Sequence, residues 1–150
     1  MQYSKKDRQN LKMIITLSRC LQSVHRKESE VIVAAGITMP QFGVLDILYH
    51  KGPQKICTII EKTLSTGGNM TVIIDNLEER GLVKRVADTN DRRVRLISIT
   101  SKGEEMMTSL FPRHIENLQR IMNPLNSNEK DEFIRLAKKL GLANHKEKGE

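Results

Sequence analysis

The middle of the chain, residues 58–100, changes its hydrophobic period partway along. Up to Glu79 the apolar residues recur every three or four positions, as in helices, and after Leu82 they alternate with polar residues, as in strands. Thr58 and Glu61 have the spacing of a capping box, which favours a helix start there. The pattern predicts a short helix, a turn, a second helix and then a β-hairpin.

The second of these helices has one apolar face and one polar face. A turn of Ser65, Thr66, Gly67 and Gly68 is expected before it, and Gly81 is expected to end it. The apolar residues occupy positions i, i+3, i+4 and i+7, so they form a core face. They are Met70, Ile73, Ile74 and Leu77.

The hairpin that follows has β-branched strands over residues 83–87 and 94–100 and a polar tip between them. A short third strand is expected over residues 55–57. A helix, a turn, a helix and a hairpin in this order describe a winged helix-turn-helix, in which the second helix enters a DNA major groove. The predicted fold is therefore mainly α, with a small β-hairpin wing.

Long amphipathic helices are expected on both sides of this unit. The first covers residues 4–34, and a capping box of Thr38 and Gln41 opens the next, which runs to about residue 50. After the hairpin, Ser101 and Glu104 are expected to open a helix with a kink near Pro112. A last helix is expected over residues 126–140, and the charged tail 143–150 is expected to be disordered.

The terminal helices carry more apolar surface than one small domain needs. The first helix has a stripe that includes Leu11, Ile14 and Leu21, and it carries Met13 and Ile15 outside that stripe. Apolar surface of this extent requires a partner, and a second copy of the chain is the simplest one. The sequence therefore predicts a homodimer.

Several segments resemble the MarR (multiple antibiotic resistance regulator) family: GGNMTVIIDNLEERGLVKR, the wing DTNDRRVRLISIT and the TSKG after it. The resemblance covers nearly the whole chain. It implies a winged helix-turn-helix over residues 38–100 between dimerisation helices at 4–34 and 101–141. It also implies a transcriptional regulator, most often a repressor, that binds pseudo-palindromic duplex DNA and is released by a small aromatic or phenolic ligand.

The start of the second helix is the expected DNA-reading surface. Free N–H groups and small residues there favour phosphate, and Asn and Thr side chains can contact base edges. Acidic residues farther along would repel phosphates, so reading is expected in the first two turns only. The candidates are Ser65, Thr66, Gly67, Gly68, Asn69, Thr71 and Val72.

The wing and its stem form the second expected DNA contact. Residues 84–102 hold six basic and two acidic residues, a net charge of +4. A basic hairpin tip beside a reading helix is placed for the adjacent minor groove. The candidate contacts are Lys84, Arg85, Arg92 and Arg93, and the resemblance implies that Asp91 orients an arginine.

The overall composition fits this interpretation. The net charge is +7, which suits an anionic partner, and 3% aromatic residues with no Trp disfavour base stacking on a single strand. The polar start MQYSKKDRQN predicts no signal peptide, and no apolar run approaches the roughly 18 residues of a membrane span. With only two cysteines, a cytoplasmic location is expected.

Other candidate chemistry is sparse. The resemblance to the MarR family implies a ligand pocket between the dimer helices and the winged unit, lined by Phe42, Tyr49 and Phe111. Cys20 and Cys57 are candidates for an oxidant sensor, although a buried cysteine is more often an inert apolar residue. The four histidines are scattered, so no metal site or cofactor is expected, and no catalytic motif suggests an enzyme.

Two alternatives remain open from the sequence. One is a regulator switched by cysteine oxidation rather than by a ligand. The other is a winged-helix module that binds proteins and not DNA. A salt-dependent affinity for mixed duplex DNA distinguishes the second from a DNA-binding regulator.

Overall fold

The computed structural model describes residues 3–63, 67–88 and 94–145. Within these ranges the chain is mostly helical with a small antiparallel sheet, as the sequence predicts. The elements in order are α1 Lys5–Ala34, α2 Met39–Lys51, β1 Gln54–Lys55, α3 Ile56–Thr63, α4 Gly67–Glu79, β2 Val83–Ala87, β3 Arg95–Ile99, α5 Ser101–Met122 and α6 Ser127–His145.

Reciprocal capping boxes fix where three of the helices begin. At α1 the Ser4 hydroxyl accepts the Asp7 N–H, and the Asp7 carboxylate accepts the Ser4 N–H. The predicted box of Thr38 and Gln41 is confirmed at α2, and residues 126 and 129 make the same pair of bonds at α6. Each box pairs N–H groups that the helix itself leaves free.

Two other predicted helix starts are wrong. Thr58 lies inside α3, which begins at Ile56 because the paired strand β1 leads directly into it. At α5 the N-cap is Thr100 rather than Ser101. The Thr100 hydroxyl accepts the Gly103 N–H at 3.2 Å and donates to the carbonyl of Gly81 at 2.7 Å. That second bond, to the turn after α4, is a tertiary contact that local sequence does not show.

Glycine ends α4 as predicted. Gly81 has a φ of +68°, its N–H donates to the Glu78 carbonyl, and the Leu82 N–H donates to the Leu77 carbonyl. This is a Schellman motif, which requires the left-handed backbone that glycine adopts without strain. The chain therefore reverses directly from α4 into β2.

The sheet has the order β1–β3–β2, with both pairs antiparallel. In the hairpin Val83 pairs with Ile99 and Ala87 pairs with Arg95. The predicted third strand exists at Gln54–Lys55, where Gln54 pairs with Ile97, but Cys57 belongs to α3. The last described bond before the wing tip runs from the N–H of residue 88 to the carbonyl of residue 94, at 3.0 Å.

The core of the winged unit lies between α2, α4, β3, the end of α1 and the start of α5. The predicted core face of α4 is confirmed, because all four of its apolar residues are buried. They pack with fully buried residues from the other elements, so α4 is held along one side for its whole length. These partners include Ile32, Leu45, Leu48, Ile97 and Met107.

The terminal helices instead expose much of their apolar surface. Exposed residues on α1 are Leu11, Met13, Ile14, Ile15 and Leu21, and on α6 they are Phe133, Ile134, Leu136, Leu140 and Leu142. α6 continues through residue 145, so the predicted tail is helical over 143–145, and residues 146–150 lie outside the described ranges. α5 is unbroken at Pro112, and a kink there stays a prediction.

No single described helix has both the length and the apolar character needed to cross a membrane. α1 and α2 meet that test only as a pair, bent by 75°.

Gly103 provides a test of how α5 packs on the hairpin. A Cβ at this position would overlap the carbonyl oxygen of Leu82 and lie 2.7 Å from Cγ1 of Ile99. Gly103→Ala should therefore lower the free energy of unfolding by about 1–3 kcal/mol. Urea denaturation followed by circular dichroism measures the change.

Gly141→Ala is the matched control, because Gly141 also lies in a helix and has no neighbour within 4 Å of its Cβ position. It should leave stability unchanged or raise it by up to about 1 kcal/mol, since alanine favours helices. Equal stability of Gly103→Ala and the wild type would contradict the described packing.

Candidate functional site

The N-terminal half of α4 is presented to solvent on the side opposite its buried face. Asn69, Thr71 and Val72 are exposed there, and 56% of the Val72 surface is accessible. Around the helix Val72 lies between the two polar side chains, so one partner can contact all three. The structure thus brings together the three base-reading candidates of the sequence.

The residues before them differ from expectation. Gly67 and Gly68 are the first two residues of α4 and not part of a turn. Glycine is costly inside a helix, but in the first turn the N–H groups make no bonds within the helix, and they stay available to a partner. Ser65 and Thr66, the other two expected turn residues, lie outside the described residues.

The C-terminal half of α4 is acidic, and Arg85 of β2 binds it. The guanidinium donates to Asp75 Oδ1 at 2.5 Å and to the carboxylate of Glu78. The Arg85 backbone N–H also donates to Glu78 Oε1, at 3.1 Å. The hydrogen bond to Asp75 is the largest of the interactions that raise the pKa of Arg85 above its ordinary value.

These contacts engage both ends of the Arg85 guanidinium within the protein, and its expected contact with DNA stays a prediction. The Schellman turn after α4 places β2 beside the last two turns of the helix, which brings Arg85 over the two carboxylates. Its neighbour Lys84 is exposed, as a DNA contact must be. From the sequence, the acidic residues of α4 were expected only to repel phosphates. In the structure Asp75 and Glu78 also bind Arg85 of the hairpin.

Two more basic residues brace the same turn. Arg80 donates to the carbonyl of Gly36 at 2.9 Å, and Lys102 donates to the carbonyl of Arg80 at 2.8 Å. Sequence reasoning counted Lys102 with the wing charges and assigned Arg80 no role. The bonds tie the end of α4 to the end of α1 and the start of α5. The end of α4 is thereby held on two sides, while Arg85 joins it to the hairpin.

The wing tip carries the remaining predicted contacts. Asp91, Arg92 and Arg93 lie outside the described residues. The described stem supplies Lys84 and Arg95, and both are exposed.

The predicted ligand-pocket residues lie in an aromatic cluster between α2 and α5. The ring centroids of Tyr49 and Phe111 are 6.4 Å apart, and Phe42 is 4.7 Å from His114. Two histidines missed by sequence reasoning complete the cluster, because His50 is 4.7 Å and His114 is 6.2 Å from the Phe111 ring. Residues 111 and 114 are about one helical turn apart, and this spacing was the sequence signal that could have placed His114 beside Phe111.

A polar seam joins this cluster to α1. His114 Nε2 lies 3.9 Å from Glu28 Oε1, and the Asn117 amide donates to the Lys27 carbonyl at 3.0 Å. Both α5 side chains are buried. An open cleft of about 430 Å³ lies between the same two helices and is lined by Lys27 and Asn117 among others.

The remaining candidate chemistry concerns the two cysteines and the possible metal ligands. Cys20 and Cys57 are both exposed and free, in contrast to the buried, inert alternative. In the described ranges no three His, Cys, Asp or Glu side chains are grouped so as to hold a metal ion.

Comparisons with known proteins agree on one family. The sequence model of the MarR family matches residues 37–94. The HTH-type transcriptional regulator MhqR of Bacillus subtilis is 34% identical over 133 residues, covering 89% of this chain and 92% of the relative. These matches span the winged unit and both flanking regions.

Solved structures share the fold. One is Bordetella bronchiseptica BpsR, studied for the regulation of its DNA binding by 6-hydroxynicotinic acid, with a TM-score of 0.75, 24% identity and coverage of 84% and 90% of the two chains. Another is CouR of Rhodococcus jostii RHA1 bound to p-coumaroyl-CoA, with a TM-score of 0.78, 21% identity and coverage of 85% and 90%.

Arg85 allows the link between wing and reading helix to be tested. Arg85→Gln leaves the Asp75 and Glu78 carboxylates without their cation, so the free energy of unfolding should fall by about 1 kcal/mol, given the partial exposure of the pairs. Lys84→Gln removes the same charge from the exposed neighbour and should stay within about 0.5 kcal/mol of the wild type. Urea unfolding at low salt measures both.

A second change checks the cause. Adding Glu78→Gln to Arg85→Gln removes one of the two unpaired carboxylates and should recover part of the lost stability. Equal stability of Arg85→Gln and Lys84→Gln would mean that the described contacts do not hold the wing.

Proposed function

The chain belongs to the MarR family of transcriptional regulators, and from this premise we propose that it is a homodimeric repressor of pseudo-palindromic DNA sites. A small aromatic or phenolic ligand releases it from DNA. The observation that carries the proposal is the geometry of α4. One face is buried along its whole length, and the opposite face presents Asn69, Thr71 and Val72 beside a hairpin.

In this proposal the first two turns of α4 enter the major groove. Asn69 makes a paired hydrogen bond with adenine, Thr71 contacts a base edge and Val72 packs on a thymine methyl group. The N–H groups of the first turn, at Gly67 and Gly68, bind phosphate together with the hydroxyls of residues 65 and 66. The acidic second half of α4 stays outside the groove, because Arg85 holds it against the wing stem.

The wing contacts the flanking DNA. Arg93 reaches the adjacent minor groove, where narrow A·T stretches have a negative potential. Arg92 points another way, towards Asp91 or a phosphate, and Asp91 orients an arginine. Lys84 on the exposed side of the stem contacts phosphate. The bonds from Arg85 to Asp75 and Glu78 support this assignment, because they join the hairpin to α4. The reading helix and the wing then approach the DNA as one rigid unit.

The dimer is supported by the exposed apolar faces of α1 and α6. Ile14 on α1 has 56% of its surface accessible and Phe133 on α6 has 50%. Such faces on both terminal helices are larger than a monomer normally exposes. A second copy covers them around a two-fold axis, and the two α4 helices then face successive major grooves.

The ligand pocket is supported by the aromatic cluster of Phe42, Tyr49 and Phe111. Among proteins with the same fold, BpsR is regulated by 6-hydroxynicotinic acid and CouR binds p-coumaroyl-CoA, and both compounds contain an aromatic ring. Aromatic side chains bind such rings by stacking or edge contacts. A ligand between α2 and α5 can change the angle between the dimer helices and the winged units.

Asn69 tests the reading helix. Asn69→Ala should cost about 1–3 kcal/mol of binding free energy on an operator selected from genomic fragments, and little on random duplexes. Asn76→Ala is the control, since Asn76 is also exposed on α4 but lies two turns farther along. Fluorescence anisotropy of labelled duplexes measures both.

Equal losses on operator and random DNA would show that Asn69 does not read a base. The same titration at 50 and 200 mM salt tests DNA binding itself, because about 6–10 neutralised phosphates weaken it about 10³ to 10⁵ fold. A flat response would favour the protein-interaction module.

Ile14 tests the dimer. Ile14→Glu places a charge in the exposed apolar face of α1 and should convert a micromolar dimer into monomer or destabilise it, because a buried charge without a partner is costly. Lys12→Glu changes an exposed polar position on the same helix and should remain dimeric. Sedimentation velocity distinguishes the species, and a monomeric wild-type protein would contradict the proposal.

A further inference from the structure

The C-terminal ends of α1 and α4 are joined to each other and to the start of α5. Arg80, just after α4, donates to the carbonyl of Gly36, just after α1, at 2.9 Å. Lys102 of α5 donates to the Arg80 carbonyl at 2.8 Å. The Thr100 hydroxyl donates to the Gly81 carbonyl at 2.7 Å. We refer to these five residues as the polar joint.

Both helix ends in the polar joint have a fixed backbone geometry. Gly36 has a φ of +78°, its N–H donates to the Val33 carbonyl, and the next N–H donates to the Ile32 carbonyl. α1 therefore ends in a Schellman motif, as α4 does at Gly81. The carbonyl that Arg80 binds is thus fixed to the last turn of α1. A single guanidinium connects two helices whose directions are both defined at the point of contact.

The polar joint also supplies the positive charge that both helix ends lack. The C-terminal end of a helix has a partial negative charge, which a basic residue in the last turn offsets. Neither α1 nor α4 has a basic residue in its last turn. Arg80 instead places its guanidinium at the end of α1, and Lys102 places its ammonium group at the end of α4. Charge and hydrogen bonding therefore favour the same arrangement.

The polar joint lies at the opposite end of α4 from the residues proposed to read DNA. At about 1.5 Å per residue, Asn69 lies about 16 Å from Arg80 along the helix axis. Because α4 is packed along its whole buried face, it turns only together with the winged unit. A rotation of about 10° at the polar joint would move Asn69 by about 3 Å, close to the rise of one base pair, about 3.4 Å.

We propose that Arg80 is a positioning residue that sets the spacing between the two half-sites of the DNA that the dimer accepts. It acts by tying the winged unit to α1, which is fixed in the dimer, so that the two reading helices are held at one separation. The inference rests on the proposed function, because it requires a dimer on pseudo-palindromic DNA. It goes beyond that function by assigning the residue that determines half-site spacing.

Duplexes that differ only in half-site spacing test the proposal on the full chain. The parent duplex is the operator selected from genomic fragments, and two others have one base pair added to its centre or removed from it. One base pair changes the separation of the half-sites by about 3.4 Å and their relative rotation by about 35°. The wild type should bind both altered duplexes about tenfold more weakly than the parent, because one reading helix loses a base contact.

Variants at position 80 assign this preference to the guanidinium. Arg80→Leu should lower the ratio from about tenfold to about threefold, roughly half of the discrimination on a free-energy scale, because each winged unit can turn to follow its half-site. Its affinity for random duplexes should not change, since the phosphate contacts remain. Arg80→Lys keeps the charge and a donor, and it should restore most of the preference. Fluorescence anisotropy at fixed salt measures all three duplexes.

Lys51→Leu is the control, because it removes one positive charge from an exposed position at the end of α2. It should keep the wild-type ratio. A role of Arg80 in stability alone would lower the melting temperature and leave the ratio at its wild-type value, and that result would overturn the inference.

Lys102→Leu covers the case in which Arg80→Leu does not fold. It removes the bond from α5 to the Arg80 carbonyl and leaves the guanidinium in place. It should lower the ratio in the same direction, since the end of α4 is then held on one side fewer. If Arg80→Leu does not fold, a wild-type ratio in Lys102→Leu would overturn the inference.

The wild-type titrations test the proposed function separately. A wild type that prefers one spacing, with Arg80→Leu showing the same preference, contradicts only the role of Arg80. A wild type that does not bind DNA, or that binds all three spacings equally, contradicts the proposed function, and the inference fails with it.

Discussion

The constraint on which the account depends is an apolar surface that one chain cannot bury. The winged unit closes its own core, since its buried residues come from α2, α3, α4, the hairpin and the adjoining ends of α1 and α5. The rest of α1, and α6, expose a row of large aliphatic and aromatic side chains. At about 25 cal/mol per Å² such a surface gains substantially from a partner. On our account a second copy supplies it, and its two-fold symmetry sets the positions of both reading helices.

Inside each winged unit, rigidity comes from a few polar contacts at the end of α4. Arg85 joins the hairpin to the last turns of the helix, Arg80 joins the turn to the end of α1, and Lys102 joins it to α5. Arg85 also pairs with two of the carboxylates in the acidic half of α4, Asp75 and Glu78. The first two turns of the helix carry no acidic residue, and they expose Asn69, Thr71 and Val72. This division of the helix is what gives Asn69 and Val72 their proposed roles.

The sequence was sufficient where structure follows from local periodicity, or from a capping pair that no distant contact displaces. The core face of α4 and the box of Thr38 with Gln41 are examples. It was insufficient where a residue far away in the chain determines the local structure. Thr100 caps α5 while its hydroxyl is bonded to Gly81, and Arg85 pairs with carboxylates on another element. The spacing of His114 and Phe111 was visible in the sequence, but the contacts of His114 with Glu28 and Phe42, which lie far away in the chain, were not.

The distance between the two reading helices tests this account most directly. A spin label at position 76 on the exposed side of α4, in a protein with both cysteines replaced by serine, reports it by double electron–electron resonance. With an operator duplex bound, the distances between the two labels should form one population at about 35 Å, which is one turn of the double helix. The absence of a dipolar interaction between chains, or a population far from one turn, would contradict the proposed dimer and its mode of reading DNA.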